Sequence, residues 1–381
     1  MPSHSSSKNS KHAPRTGGLD RRRLAIVGIV AIVIIAVIAV IATSGGGPSN
    51  TNATGPSVPP STQPALAANR CPLTDLPAPG GVVPQREPVA VKIGNEPGPG
   101  PGGTGAARPQ SGLNEADVVY DTPAEGFIMR YIAVFQCQSA SSIGPVRSVR
   151  WVDWHILNEF NHVALAFVGG VNPNQATVAS TPWIDDANEF LHYGAYTTDP
   201  NRTAPDATYT STSAILKLFK SHHAPVPIFH YTPAPAPNAT PAASFGINFS
   251  AGTDVIWKWD AATGQWLHTY SGVPDIDQLT GKQVSTTNIV VQIVHYTIGP
   301  YVESPGGTGD IQSVTVGKGP GYLLRNGKAV KVIWRRANLN SPTSFSDAAT
   351  GQGLGLAPGR TWVELVPDTV AKLPGQFKIT P

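Results

Sequence analysis

The sequence predicts a mixed α/β domain followed by a mostly antiparallel β-rich domain, both carried behind one transmembrane helix. Three observations lead there. Thirty-nine Gly and 37 Pro stand among 381 residues of which only 13% are charged, a composition that disfavours coiled coils and helical bundles and favours strands joined by many turns. Positions 24–43 hold twenty consecutive uncharged residues. Beyond residue 86, short runs rich in Val, Ile, Phe and Tyr recur, with helical spacing in only two places.

The chain opens on a basic tail, residues 1–23, with Lys8, Lys11, Arg15, Arg21, Arg22 and Arg23 against Asp20. The run LAIVGIVAIVIIAVIAVIAT at 24–43 spans about 30 Å at 1.5 Å per residue, the thickness of a bilayer core. It is longer than the apolar part of a signal peptide, so an uncleaved anchor is expected, with cleavage after Ala42 as the alternative. The next basic residue is Arg70, which places the N-terminus in the cytoplasm and all that follows the span outside. No Cys lies near the end of the run, excluding a lipidated N-terminus. Without the tail the chain carries 21 Lys/Arg against 23 Asp/Glu. It therefore lacks the basic face that nucleic acid requires.

Residues 44–85 are Gly, Ser, Thr, Asn, Pro and Ala with few large apolar side chains, a tether that cannot bury enough surface to fold alone. The first domain, 86–225, contains the strand signals PVAVKI (88–93), ADVVYD (116–121), FIMRYIAVFQ (127–136) and VALAFVGG (163–170). Val149, Val152, Ile156 and Phe160 predict a helix with Ser148 as its cap, and STSAILKLFKS at 211–221 predicts a second. A Pro-rich connection, 226–250, leads to the second domain, 251–381. Strand signals there fall at 255–259, 265–270, 288–298, 311–316 and 361–366, with a hairpin about Asn326-Gly327. Cys71 and Cys137 both lie on the expected outer side. A disulfide between them is predicted, the alternative being two separate thiols.

The charged residues of 107–153 are the best site candidate. Arg130 shares a strand face with Ile128, Ile132 and Val134 and needs a partner there, for which Glu115, Asp117 and Glu125 are nearest in sequence. Such a set is either a structural ion-pair network or a polar pocket facing a ligand. Arg147, Ser148 and Arg150 lead into the first helix, where free N–H groups and the helix dipole would favour an anion. The occupant is a ligand carboxylate or phosphate, or else Asp153 or Asp121 of the chain itself, and Arg202 is a third cationic member. His155 with Glu159 and Glu189 with His192 have helical spacing, but HExxH is absent and no metal is expected. His222-His223 reads as the polar end of a helix. The glycine runs at 98–105 and 317–321 lack the Lys-Ser/Thr of a phosphate-binding loop, and no nucleophile motif occurs in the outer domains, so no cofactor is expected. Trp257 and Trp259 share a strand face and serve either as core or as a sugar platform.

Taken together, ARPQSGLNEADVVYDTPAEGFIMRYIAVFQ (107–136), IGPVRSVR (143–150), FVGG (167–170), DPNRTAPDATYTS (199–211) and GKGPGYLLRNGKAVKVIWRR (317–336) resemble the YerB-like lipoprotein family of bacterial envelope proteins. The resemblance covers about 87–368 and implies an α/β first domain with layered sheets, an extracytoplasmic location and no assigned enzyme activity. This chain departs from the family in two places. Many relatives are anchored by a lipidated Cys, and members read R-x-APHNLYTS where Arg202 here leads to Asp206, a carboxylate in place of the His. The expected function is non-catalytic binding of a cell-wall component or an envelope protein near the membrane. The alternative is an envelope hydrolase or transferase with Glu115, Asp117 or Glu125 as acid/base and Arg147 and Arg150 fixing an anionic substrate.

Overall fold

The computed structural model describes residues 68–103, 105–220, 222–249, 254–303, 307–373 and 376–381. The expected anchor at 24–43 lies outside the described residues, among which no helix is long and apolar enough to cross a membrane.

The first half supplies β1 (Val89–Ile93), β2 (Val118–Pro123), β3 (Met129–Phe135), β4 (Val163–Phe167) and β5 (Ile184–Asn188), with helices α1 (Trp151–Leu157), α2 (Asn172–Ser180) and α3 (Thr212–Leu216). The second half supplies β6 (Ser244–Asn248), β7 (Asp254–Asp260), β8 (Gln265–Tyr270), β9 (Asn288–Val294), β10 (Gly317–Arg325), β11 (Lys328–Arg336), β12 (Ser344–Asp347), β13 (Gly353–Leu354) and β14 (Thr361–Pro367), then α4 (Asp368–Lys372) and β15 (Phe377–Thr380). One 12-stranded sheet runs β13-β12-β11-β10-β9-β14-β2-β3-β1-β4-β5, with Thr240–Pro241 paired to β11 as its twelfth member. The sheet is thus continuous through both halves of the sequence. β14 joins them, lying parallel to both β9 and β2, with Val119 opposite Trp362 and Asp121 opposite Glu364.

Both faces of this sheet are covered, so β1, β2, β3, β4 and β14 are buried at every residue and read as apolar runs rather than alternations. On one face Tyr131 and Trp362 pack against Phe245, Trp257 and Trp266 of the second sheet, which runs β8-β7-β6-β15 with Val273–Pro274 beside β8. Trp362 meets Trp257 and Tyr131 edge-on, each at 5.0 Å between ring centres, a favoured aromatic geometry. On the other face α1 seals Ile132, Val134 and Leu165 with Val152, Ile156 and Leu157. The β10–β11 hairpin turns through Asn326 and Gly327 at φ 52° and 66°, the left-handed pair that a type I′ turn requires.

Several local expectations need correction. Ser148 does not cap α1; the helix starts three residues later at Trp151, and Asp153 Oδ2 accepts the Arg150 N–H at 2.7 Å. The second helix is shorter than 211–221, because α3 ends at Leu216, although Ser211 Oγ does accept the Ala214 N–H. His222 and His223 therefore do not complete a helix. Trp257 is fully buried and donates from Nε1 to Glu364, so the Trp257–Trp259 pair forms core rather than an exposed platform. Cys71 and Cys137 are joined, with their Cα atoms 5.9 Å apart. The bridge pins the turn at 71–78 to the end of β3.

Candidate functional site

β9, β14, β2, β1, β4 and β5 all point one way, since β3 is antiparallel to both β2 and β1 and the remaining pairs are parallel. Their carboxyl ends form one edge, where open α/β sheets place their ligand sites. The strands deliver Lys92, Asp121, Thr122 and Arg130 to that edge. The segment 145–149 lies between the ends of β1 and β4, with the Arg147 N–H on Lys92 O at 2.9 Å and the Val149 N–H on Gly169 O at 3.1 Å. These amides are engaged within the chain, and that of Arg150 is taken by Asp153, one of the two internal carboxylates expected at this corner. Its four cationic side chains, Lys92, Arg130, Arg147 and Arg150, are each met by carboxylates of the chain.

Lys92 is wholly buried, with Nζ 2.7 Å from Asp153 Oδ1 and 3.0 Å from Thr122 Oγ1. Burial pulls the Lys92 ammonium below its usual range, and Asp153 opposes that pull. Arg130 pairs with Glu96 at 2.6 Å, and Arg147 pairs with both Glu96 at 2.9 Å and Asp206 at 2.6 Å. Arg150 pairs with Glu125 at 2.9 Å and with Glu303. Burial raises Glu96, but the two guanidiniums outweigh it and hold the carboxyl below the ordinary range. Burial and then Arg130 bring Arg150 down to about 10. Arg202 donates to the carbonyls of Ala106 and Pro109 and lies 3.8 Å from Asp199. Ser148 is half-buried beside this group. One guanidinium is incompletely satisfied: Arg130 Nε and Nη1 are buried and have no partner among the described residues, and neither has the adjacent Glu96 Oε2.

The expected partnership of Arg130 thus fails, and of the two internal carboxylates expected at the Arg147–Arg150 corner Asp153 is there and Asp121 is not. Arg130 is paired by Glu96, not by Glu115, Asp117 or Glu125, and Asp121 does not face Arg147 or Arg150. Asp121 lies on the opposite face of β2, beside Glu364 of β14, both fully buried between the two sheets. Glu364 Oε1 accepts from Trp257 Nε1 at 2.8 Å. Burial, and for Asp121 also the neighbouring Glu364 charge, raise both carboxyls above the ordinary range. Above it Asn95 Oδ1 accepts from Arg108 Nε, Gln110 Nε2 and Tyr270 Oη at 2.8 to 2.9 Å, with Arg108 stacked 3.4 Å over the Tyr270 ring. Sequence reasoning missed this group. Its visible signal was Glu364, a lone carboxylate inside the apolar run TWVELV.

Glu115 and Asp117 stand at the other end of β2, five residues or roughly 16 Å from Thr122. Asp117 Oδ2 accepts the N–H groups of Gln136, Cys137 and Gln138 at 2.6, 3.0 and 3.3 Å, while Oδ1 has no partner among the described residues. Burial pushes Asp117 up to about 6 against those N–H groups. With Glu115 and Arg360 it lines a cleft of about 420 Å³. The acid/base candidates and the arginines therefore do not form one constellation; only Glu125 joins the arginine edge. The helical pairs also come apart: His155 stacks on Trp151, and Glu159 is buried on Thr343 and Arg336. A larger concavity, about 750 Å³ between β11 and β15, contains none of the sequence-predicted residues.

Residues 73–225 match the N-terminal domain, and residues 245–363 the C-terminal domain, of DUF3048, a protein family of unknown function. The chain is 29% identical over 312 residues to the "Putative lipoprotein YerB" of Bacillus subtilis (strain 168), covering 78% of this chain and 86% of the relative. Its fold is similar to the crystal structure of YerB protein from Bacillus subtilis, with a TM-score of 0.67 and 25% identity over 82% of this chain and 99% of the other.

Proposed function

The chain belongs to the DUF3048 family and is similar to a Bacillus subtilis relative named as a lipoprotein, and from that premise we propose that it is an envelope protein held at the outer face of the membrane, where it binds an anionic ligand without transforming it. The observation that carries the binding reading is the state of the arginine edge. Glu96, Glu125, Asp153 and Asp206 are each committed to a cation, so among the described residues no carboxylate beside the arginines is without an ion pair. Arg130 meanwhile keeps two buried donors in hand. Buried donors of this kind are ordinarily satisfied, and a carboxylate or phosphate of a wall component meeting Arg130, Arg147 and Arg150 would satisfy them. The location is supported by the cystine between the only two cysteines, a bond favoured outside the cytosol. It is supported too by the uncharged run at 24–43 and by the lipoprotein name of the Bacillus relative.

Residues 61–381 form one compact unit suited to the test. That unit is titrated with phosphate-bearing and peptide-bearing wall fragments, and the fragments are then weighed by mass spectrometry. Saturable binding is expected, with intact fragments and a loss of affinity in Arg130→Met. Equal binding by Arg130→Met overturns the site, and shortened fragments that disappear with Glu125→Gln favour the hydrolase instead. A C-terminal reporter active only inside the cell overturns the location.

A further inference from the structure

Glu87, His162 and Asp185 stand at the starts of β1, β4 and β5, three adjacent parallel strands, on the sheet edge opposite the arginines. The segment after α3 brings His222 and His223 across this edge. Glu87 is fully buried and holds that segment twice, with Oε1 2.9 Å from His222 Nδ1 and Oε2 accepting the His223 N–H at 3.0 Å. His223 is thereby docked with its ring stacked on His162, the centroids 3.5 Å apart. His162 Nε2 lies 3.1 Å from Asp185 Oδ2. One ligand atom from each of His162, Asp185 and His223 lies within 4.8 Å of the other two.

We propose that His162, Asp185 and His223 bind a divalent first-row transition metal, with zinc as the ion of reference. Two imidazole nitrogens and one carboxylate oxygen form a borderline donor set that suits zinc, copper or nickel and lacks the oxygen ligands that calcium or magnesium demands. A tetrahedral zinc with bonds of about 2.0–2.2 Å spaces its ligand atoms roughly 3.3 Å apart. The His162–Asp185 pair already has that spacing. His223, the exposed member, closes the remaining distance by turning its ring out of the stack and into the plane of the ion. Three protein ligands leave a fourth position for water or a ligand atom. Glu87 does not touch the ion; it positions His223 through the backbone and through His222, as outer-shell carboxylates do. No motif announces the site because its ligands come from three separate elements.

The test uses the full-length chain without a polyhistidine tag, dialysed against zinc alone and assayed for bound metal. One zinc per chain is expected, with no competition from magnesium or calcium. Glu87→Gln should weaken binding by about tenfold, and His223→Ala and Asp185→Asn by more. His295→Ala, at an exposed histidine elsewhere, should bind as the parent does. Zinc should also raise the thermal midpoint of the parent and not that of His223→Ala, which reports occupancy of the folded state directly. His223 is exposed, so this variant should fold, as circular dichroism will verify. Absence of bound zinc at micromolar free ion overturns the proposal, as does parental affinity in both His223→Ala and Asp185→Asn.

Discussion

Replacing Asp117 by Asn should flatten part of the pH dependence of stability. In the folded chain burial raises this carboxyl from 3.8 to about 6; unfolded, it titrates near 3.9. Folding therefore takes up a proton between these values, and the unfolded state, which binds fewer protons, gains as pH rises. The stabilising contribution is complete below about pH 4, declines through pH 5 and is gone above about pH 6. A shift of about two units at 1.36 kcal/mol per unit makes the loss about 3 kcal/mol. Other carboxyls slope in both directions, since Glu87 and Glu96 are lowered while Asp121 and Glu364 are raised. The informative quantity is therefore the difference between parent and variant. Guanidinium unfolding of residues 61–381 at pH 4, 5, 6 and 7.5 should show the parent losing about 3 kcal/mol relative to Asp117→Asn across the series. Parallel curves would refute the assignment and imply that the three N–H groups on Oδ2 keep the carboxylate as stable inside the fold as in water.

Reducing the Cys71–Cys137 bond, or replacing both cysteines by Ser, should lower stability by about 4 kcal/mol on the chain-entropy model for a separation of 66 residues, measured by urea unfolding with and without reductant. Lys92→Met should cost about 3–5 kcal/mol because Asp153 is left as a buried charge without its counter-ion; adding Asp153→Asn should recover part of this, and a double-mutant cycle reads the coupling. Asp121→Asn should stabilise the fold at pH 8 relative to pH 5 when compared with the parent. Both members of the Asp121–Glu364 pair are raised, so their stability is present at low pH and lost as pH climbs; equal pH profiles would show that burial does not raise Asp121.

Local patterns made much of the fold legible. The runs at 118–123, 129–135 and 163–167 are apolar because both sheet faces are covered, Ser211 caps its helix, and Asn326-Gly327 turns its hairpin. The continuity of the large sheet was not legible, because parallel pairing of 118–121 with 361–364 leaves no mark on the period of either strand. The site divides in the same way. That Arg130 needed a counter-ion followed from its place among Ile and Val. The identity of that ion did not, since Glu96 sits in a Gly/Pro turn of featureless composition, and Glu303, which completes Arg150, lies 153 residues away. Glu87 and His222, 135 residues apart, are joined only by the crossing of the chain over the starts of the strands.

The position of β14 also dictates when the molecule can be finished. Until residues 361–367 emerge, β2 presents a bare hydrogen-bonding edge and Trp257 lacks the carboxylate that its indole will engage. About 240 residues separate the two strands, which at roughly 5–20 residues per second leaves that edge uncovered for about 12–50 seconds of synthesis. A polypeptide stopped short of Thr361 would keep this adhesive border for its lifetime, open to pairing with the strands of other chains.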